Sequence, residues 1–179
     1  MASTALTAEQ LLAIQPRHKS VELVRGVMVV REPAGYRHGR VAAAMAGRLL
    51  AHVAATRAGH VLSAETGFQI GHDPDTVRAP DVAFVAAGRA PDPEPAGFAR
   101  LAPDLVIEVL SPGDRPGEVL TKVADWLEAG TRLVWVVDPE RRLGRVYRAD
   151  GSERTATLGE ALDGEDVVPG FSCPLSEVL

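Results

Sequence analysis

Residues 105–109, Leu-Val-Ile-Glu-Val, constrain the fold more than any other stretch of the chain. Side chains alternate between faces along a strand. Leu105, Ile107 and Val109 therefore share one face, and Val106, Glu108 and Leu110 the other. Apolar residues on both faces demand cover from both sides, as in a central strand of a layered sheet. A second run of this kind, residues 132–137, follows a segment with helical spacing. In that segment Val119, Leu120, Val123, Trp126 and Leu127 form the expected buried face. Asp114 is its expected N-cap and Gly130 its C′ stop. Strand, helix and strand in this order predict a right-handed crossover between parallel strands.

The flanking segments supply partners for that unit. Thr7 caps a short helix over AEQLLAI, which Pro16 ends. Residues 20–24 and 27–30 form a hairpin about Arg25-Gly26. After a loop, REPAGYRHGR, Val41, Met45, Leu49 and Val53 recur at spacing four and predict a helix over 40–57, stopped by Gly59. Residues 60–70 predict one strand and 81–85 another, joined by the turn-rich connector GHDPDTVRAP. Residues 88–103 form an irregular Pro-, Gly- and Ala-rich loop. Residues 143–148 predict a last strand, turned back at Asp150-Gly151, and the tail has apolar anchors and a final helical turn. The expectation is one α/β (α+β) domain over 1–179, a mixed β-sheet flanked by helices with an N-terminal β-hairpin.

Composition narrows the function classes. The chain has 179 residues, 46% of them apolar, and a net charge of −5, which is a globular balance. No apolar run approaches the roughly 20 residues that cross a bilayer. The start MASTALTAEQ lacks the basic flank and apolar run of a secretory signal, so a cytoplasmic protein without a membrane partner is expected. Cys173 is the only cysteine, which excludes an internal disulfide and a cysteine zinc cluster. The acidic balance argues against nonspecific coating of nucleic acid. Local basic groups still allow phosphate binding, and Arg37, Arg40, Arg141, Arg142, Arg145 and Arg148 are the candidates.

Three residues carry the chemical argument. A carboxylate on a doubly covered strand, as at Glu108, must be paired, hydrogen-bonded or metal-bound. Asp81 follows Pro80 at the head of a neighbouring strand. Lys122 sits at the edge of the helix's apolar face, one turn from Val119 and Trp126, where its ammonium can reach the strand end. The chain has 17 Arg and 2 Lys, so lysine here is not an arbitrary cation. Two acids on adjacent strands can hold a hard divalent ion whose shell is completed by water. Such an ion polarises a phosphoryl group and acidifies water, and a lysine offsets the developing charge. Glu65 on the preceding strand and His38 before the long helix are supporting candidates. Ser111 lacks a nucleophile-elbow context and belongs to a turn.

The segments RAPDVAFV, PDLVIEVLSPGDRPGEVLTKVADWLEAGTRLVWVVDPE and DGEDVVPGF resemble the Uma-type restriction endonuclease family of bacteria, within the PD-(D/E)XK nuclease superfamily. The resemblance runs from about Ser20 to the C-terminus. It implies a restriction-endonuclease-like core and an endonuclease that hydrolyses DNA with Mg²⁺, Mn²⁺ being an alternative, as a homodimer. It makes Asp81 and Glu108 metal ligands, adds the main-chain carbonyl of Val109 as a third, makes Lys122 the catalytic cation, and adds Glu22 in the hairpin as a supporting residue that reaches the same site. The superfamily often has its lysine two positions after the second acid. Here that position is Leu110, and the family's displaced lysine corresponds to Lys122. Two other readings stay open: an inactive or accessory nucleic-acid-binding module, and a structural protein with a buried Glu108–Lys122 pair.

Overall fold

The structure, a computed structural model, describes residues 5–14, 20–64 and 66–179. Its elements are helix α1 (Ala8–Ile14), strands β1 (Ser20–Val24) and β2 (Val27–Arg31), helix α2 (Tyr36–Thr56), strands β3 (Gly59–Ser63), β4 (Phe68–Gly71), β5 (Thr76–Arg78), β6 (Val82–Ala86) and β7 (Leu105–Val109), helix α3 (Pro116–Glu128), and strands β8 (Leu133–Asp138), β9 (Leu143–Arg148), β10 (Glu153–Thr157), β11 (Ala161–Asp163) and β12 (Ser172–Pro174). Six strands form the main sheet in the order β10-β9-β8-β7-β6-β3. Within it β7 and β8 are parallel, as the crossover requires, and the other pairs are antiparallel. A four-stranded sheet, β2-β1-β5-β4, stands beside it, and β11 pairs with β12. This is an α+β fold with mixed sheets and flanking helices, consistent with a restriction-endonuclease-like core.

Alternation along β7 sorts the core into two layers. Leu105, Ile107 and Val109 pack with Val41, Met45, Leu49 and Val53 of α2. Val106 faces the other way, with Ala83, Val134, Val136 and the α3 residues Val123 and Trp126. Glu108 shares the parity of Val106, so its carboxylate enters the α3 layer. The first hairpin turns as expected, with Arg25 at φ 48° and Gly26 at φ 77°, the left-handed pair of a two-residue turn. The helix α1 begins with a reciprocal cap: Gln10 N–H donates to Thr7 Oγ1 at 3.2 Å and Thr7 N–H to Gln10 Oε1 at 2.9 Å. The expected stop at Pro16 lies outside the described residues.

Six expectations need correction. The strand expected over 60–70 is two strands in different sheets: β3 pairs with β6, and β4 with β5. The chain crosses between sheets near Gly67, where a Cβ would lie 2.5 Å from the Phe98 ring. The connector after it contains β5, whose three residues are all buried and too few to show a period. The helix α2 starts at Tyr36 rather than residue 40, from Gly35, which has no side-chain cap to announce it. The N-cap of α3 is Arg115, because Pro116 is preorganised for the first helical turn; Asp114 instead accepts from Ser111 N–H at 2.7 Å. Leu120 is half exposed, and Asp125 is buried on that helix instead. The strand β10, running back along β9, also went unassigned in the pattern.

The C-terminal segment closes the α2 layer. Leu162, Val168, Phe171, Cys173, Leu175 and Val178 are buried there, and Leu175–Glu177 forms a 3-10 turn. Burial pushes the Cys173 thiol up to about 11, against a smaller opposing pull from Arg48. The folded protein should therefore be inert to a thiol reagent at pH 8 and react at one site per chain after denaturation. Rapid labelling under native conditions would contradict that burial. No helix among the described residues is long and apolar enough to cross a membrane.

Candidate active site

The strand β6 runs antiparallel to β7 with Val82 opposite Ile107, so Asp81, just before β6, lies across from Glu108. A main-chain contact secures that approach: Val109 N–H donates to Asp81 Oδ2 at 2.7 Å. From the first turn of α2, His38 places its Nε2 3.2 Å from the same oxygen. The two acids expected from the sequence, together with Val109 and His38, therefore meet at one end of the main sheet.

The helix α3 supplies the next contacts through two residues four apart, which share a face. Lys122 Nζ lies 2.9 Å from Glu108 Oε2, and Trp126 Nε1 donates to Glu108 Oε1 at 2.9 Å. The Lys122 ammonium also lies 3.0 Å from Glu22 Oε1 and donates to the carbonyl of Ala79 at 3.0 Å. Glu22 is buried in β1 and accepts from Ala79 N–H at 3.0 Å. Lys122 thus sits among three oxygens from three separate segments. Glu65 lies outside the described residues.

The electrostatics follow from burial and partners. Burial pushes the Glu108 carboxyl up. Lys122 opposes this, Asp81 and Glu22 add to it, and the balance places it at about 7. Burial alone would also raise Glu22, but Lys122, Arg78 and the Ala79 N–H outweigh it and hold that carboxyl at about 2. For Lys122, burial acts downward and the neighbouring Glu108 and Glu22 carboxylates prevail, raising its pKa. His38 is raised, chiefly by its hydrogen bond to Asp81, with burial opposing.

The His38–Asp81 pair has a measurable pH signature. Its contribution to stability is fully present below the ordinary histidine pKa of 6.5 and is lost as pH rises through the higher folded value. Titration of the His38 ring by NMR should give a midpoint above 6.5. Asp81→Asn should lower it, because burial then acts without the carboxylate. An unchanged midpoint in that variant would exclude Asp81 as the cause.

Residues that the pattern left out complete the setting. Spacing alone places Trp126 on the apolar face of α3, yet its indole N–H also holds Glu108 Oε1. Arg78 and Asp125, both buried, lie behind Glu22: Arg78 Nη1 is 2.8 Å from Glu22 Oε2, and Arg78 Nε is 3.1 Å from Asp125 Oδ2. The available signal was an acid three residues after Lys122 on one helix. Two of the expected basic groups are held within the protein. Arg40 donates to the carbonyls of Val178 and Leu179, and Arg148 pairs with Glu165. Arg37, Arg141 and Arg142 are exposed.

Among the described residues no three His, Cys, Asp or Glu side chains are grouped to hold a metal ion. The site offers two hard carboxylates on neighbouring strands. That donor set fits Mg²⁺, which commonly takes one or two carboxylates and completes its shell with water and substrate phosphate.

An α+β core with two acids at adjoining strand ends and a lysine from the next helix is nuclease-like, in the manner of the restriction endonucleases. More particularly, the chain belongs to the Uma2 family: the family model described as "Uma2: Putative restriction endonuclease" matches residues 8–176. Its fold is similar to the crystal structure of "a putative nuclease belonging to DUF820" from Anabaena variabilis ATCC 29413, with a TM-score of 0.84, 20% identity and 97% of each chain covered. At that identity the likeness is one of fold. No curated protein matches the chain.

Proposed function

We propose that this protein is a Mg²⁺-dependent endonuclease that hydrolyses DNA phosphodiester bonds, with Mn²⁺ as an alternative ion. The observation that carries the reading is the meeting of Asp81, Glu108 and Lys122 at one end of the sheet. In this reading Asp81 and Glu108 hold the ion, with the Val109 carbonyl as the third ligand that the resemblance implies. When bound, the ion supplies Lewis-acid polarisation of the phosphate and acidifies a water.

The chain's own residues do the rest. Val109 N–H and His38 keep Asp81 Oδ2 in place, and Trp126 keeps Glu108 from turning away. Lys122, held by Glu22 and the Ala79 carbonyl, presents a cation where negative charge grows on the phosphate oxygens. Exposed Arg37, Arg141 and Arg142 supply positive charge for the DNA backbone. Two sites are needed to cut both strands at once, which favours a homodimer working in the cytoplasm, each subunit a single domain. The test is nicking of supercoiled plasmid with Mg²⁺ and with EDTA, using wild type and Asp81→Ala. Metal-dependent nicking lost in the variant supports the reading; equal nicking by both sinks it.

One observation favours a second reading. Lys122 already satisfies Glu108 at 2.9 Å, as in a structural or interaction protein with a Glu-Lys pair. Titration calorimetry with Mn²⁺ separates the two: heat of binding that disappears in Glu108→Gln supports the nuclease, and no heat with wild type supports the structural pair.

A further inference from the structure

The catalytic lysine proposed above is the inner end of a longer buried chain of charges. Glu22 receives Lys122 on one oxygen, at 3.0 Å, and Arg78 on the other, at 2.8 Å. Arg78 then reaches α3, where both Nε, at 3.1 Å, and Nη2 contact Asp125 Oδ2. Arg25 closes the chain at the surface, 3.0 Å from Asp125 Oδ1. The side chains of Glu22, Arg78 and Asp125 are 2%, 5% and 6% exposed, whereas that of Arg25 is 58% exposed.

Such an arrangement is not needed for packing. Apolar residues of similar volume often stabilise as well as a buried ion pair or better, because desolvating charges is costly. What the charges provide is orientation. With Oε2 of Glu22 occupied by Arg78, Oε1 points to Lys122. The residue after Arg78, Ala79, contributes its N–H to that oxygen and its carbonyl to Lys122, each at 3.0 Å. The end of β5 therefore sets two of the three partners of the lysine. Glu22 and Asp125 sit against Arg78 and Arg25, with Arg31 a more distant partner of Glu22 at 3.9 Å. Lys122 then keeps a positive charge to set against Glu108 and Asp81.

We propose that Arg78 is a positioning residue: by bridging Glu22 and Asp125 it fixes the Lys122 ammonium against Glu108. The inference rests on the reading of Lys122 as the catalytic cation, but its structural half is testable without activity. The chain has two lysines, Lys19 and Lys122. A ¹⁵N-lysine-labelled sample therefore gives two ammonium signals, distinguished by Lys19→Arg. Lys122, half-buried and held by three oxygens, should exchange its protons slowly.

The variant is Arg78→Met/Asp125→Leu, which removes the bridge with its partner on α3 and leaves Glu22 and Lys122 intact. With native circular dichroism retained, Lys122 proton exchange should accelerate at least about 10-fold. The kcat for plasmid nicking should fall roughly 10- to 100-fold, the usual range for residues supporting a catalytic group, with KM for DNA unchanged. If the double variant does not fold, Arg78→Gln carries the same readouts, since it keeps a donor for Glu22 but loses the bridge. Wild-type exchange and kcat in the folded variant would overturn the proposal. Faster exchange in a protein whose wild type does not nick DNA would uphold the positioning of Lys122 and reject the nuclease reading.

Discussion

Glu108→Gln should abolish metal-dependent cleavage while leaving the fold in place. Glutamine keeps the volume and one carbonyl acceptor, enough for the Trp126 indole, while Lys122 loses its Glu108 oxygen but retains Glu22 and the Ala79 carbonyl. Loss of a single preorganised electrostatic contributor typically slows catalysis about 100- to 1,000-fold, and loss of one of two carboxylate ligands should reach at least that range. Stability should change little, because burial already pushes this carboxyl up to about 7 and the neutral form is accessible in the folded protein.

The same shift sets the sign of the pH dependence. A divalent ion binds the carboxylate and not the acid, so protons compete with it. Mn²⁺ affinity should rise between pH 6 and pH 8, with its midpoint near 7, and level off above that range, and Glu108→Gln should remove both binding and its pH dependence. Calorimetry at three pH values, with melting curves on the same samples, checks all of this. Cleavage within a few-fold of wild type would remove Glu108 from the mechanism.

Arg78→Met should be the most damaging single change to stability among the site residues. It deletes the cation shared by two buried carboxylates and gives neither access to water. Leaving a buried charge uncompensated costs about 3–5 kcal/mol, an upper bound here because Lys122 still pairs with Glu22 and Arg25 with Asp125. At roughly 2–4 °C per kcal/mol for a domain of this size, the melting temperature should fall by several degrees and by no more than about 20 °C. Adding Asp125→Leu should recover part of the loss, because it removes a buried carboxylate left with Arg25 as its only cation and fills the space with apolar volume. Thermal melts of the two variants decide the point. A single variant within about 1 kcal/mol of wild type would mean that water replaces the guanidinium, and the charge chain would then have no structural weight.

The main sheet and its covering helices were legible because long elements carry period. The parity of residues 105–109 separated Glu108 from Ile107 correctly, and the spacing of Val41, Met45, Leu49 and Val53 located the face of α2. Short elements lack that signal. The strand β5 has three residues, and the break near Gly67 reflects a contact with Phe98, far along the chain. Helix starts followed local chemistry only where a capping side chain exists, as at Thr7; Gly35 offers none.

The sequence by itself determined the central strand, its parallel neighbour, and the presence of two acids and one lysine that could not all be ordinary surface charges. Those properties depend on residue order and on the cost of burying charge. Tertiary structure decided which groups meet. Asp81 faces Glu108 because β6 and β7 pair in one register among several that the pattern allowed. Lys122, Glu22 and Ala79 converge because a small sheet, held partly by a buried arginine, packs against α3. Those contacts join residues many tens of positions apart, and no local period in the chain encodes them.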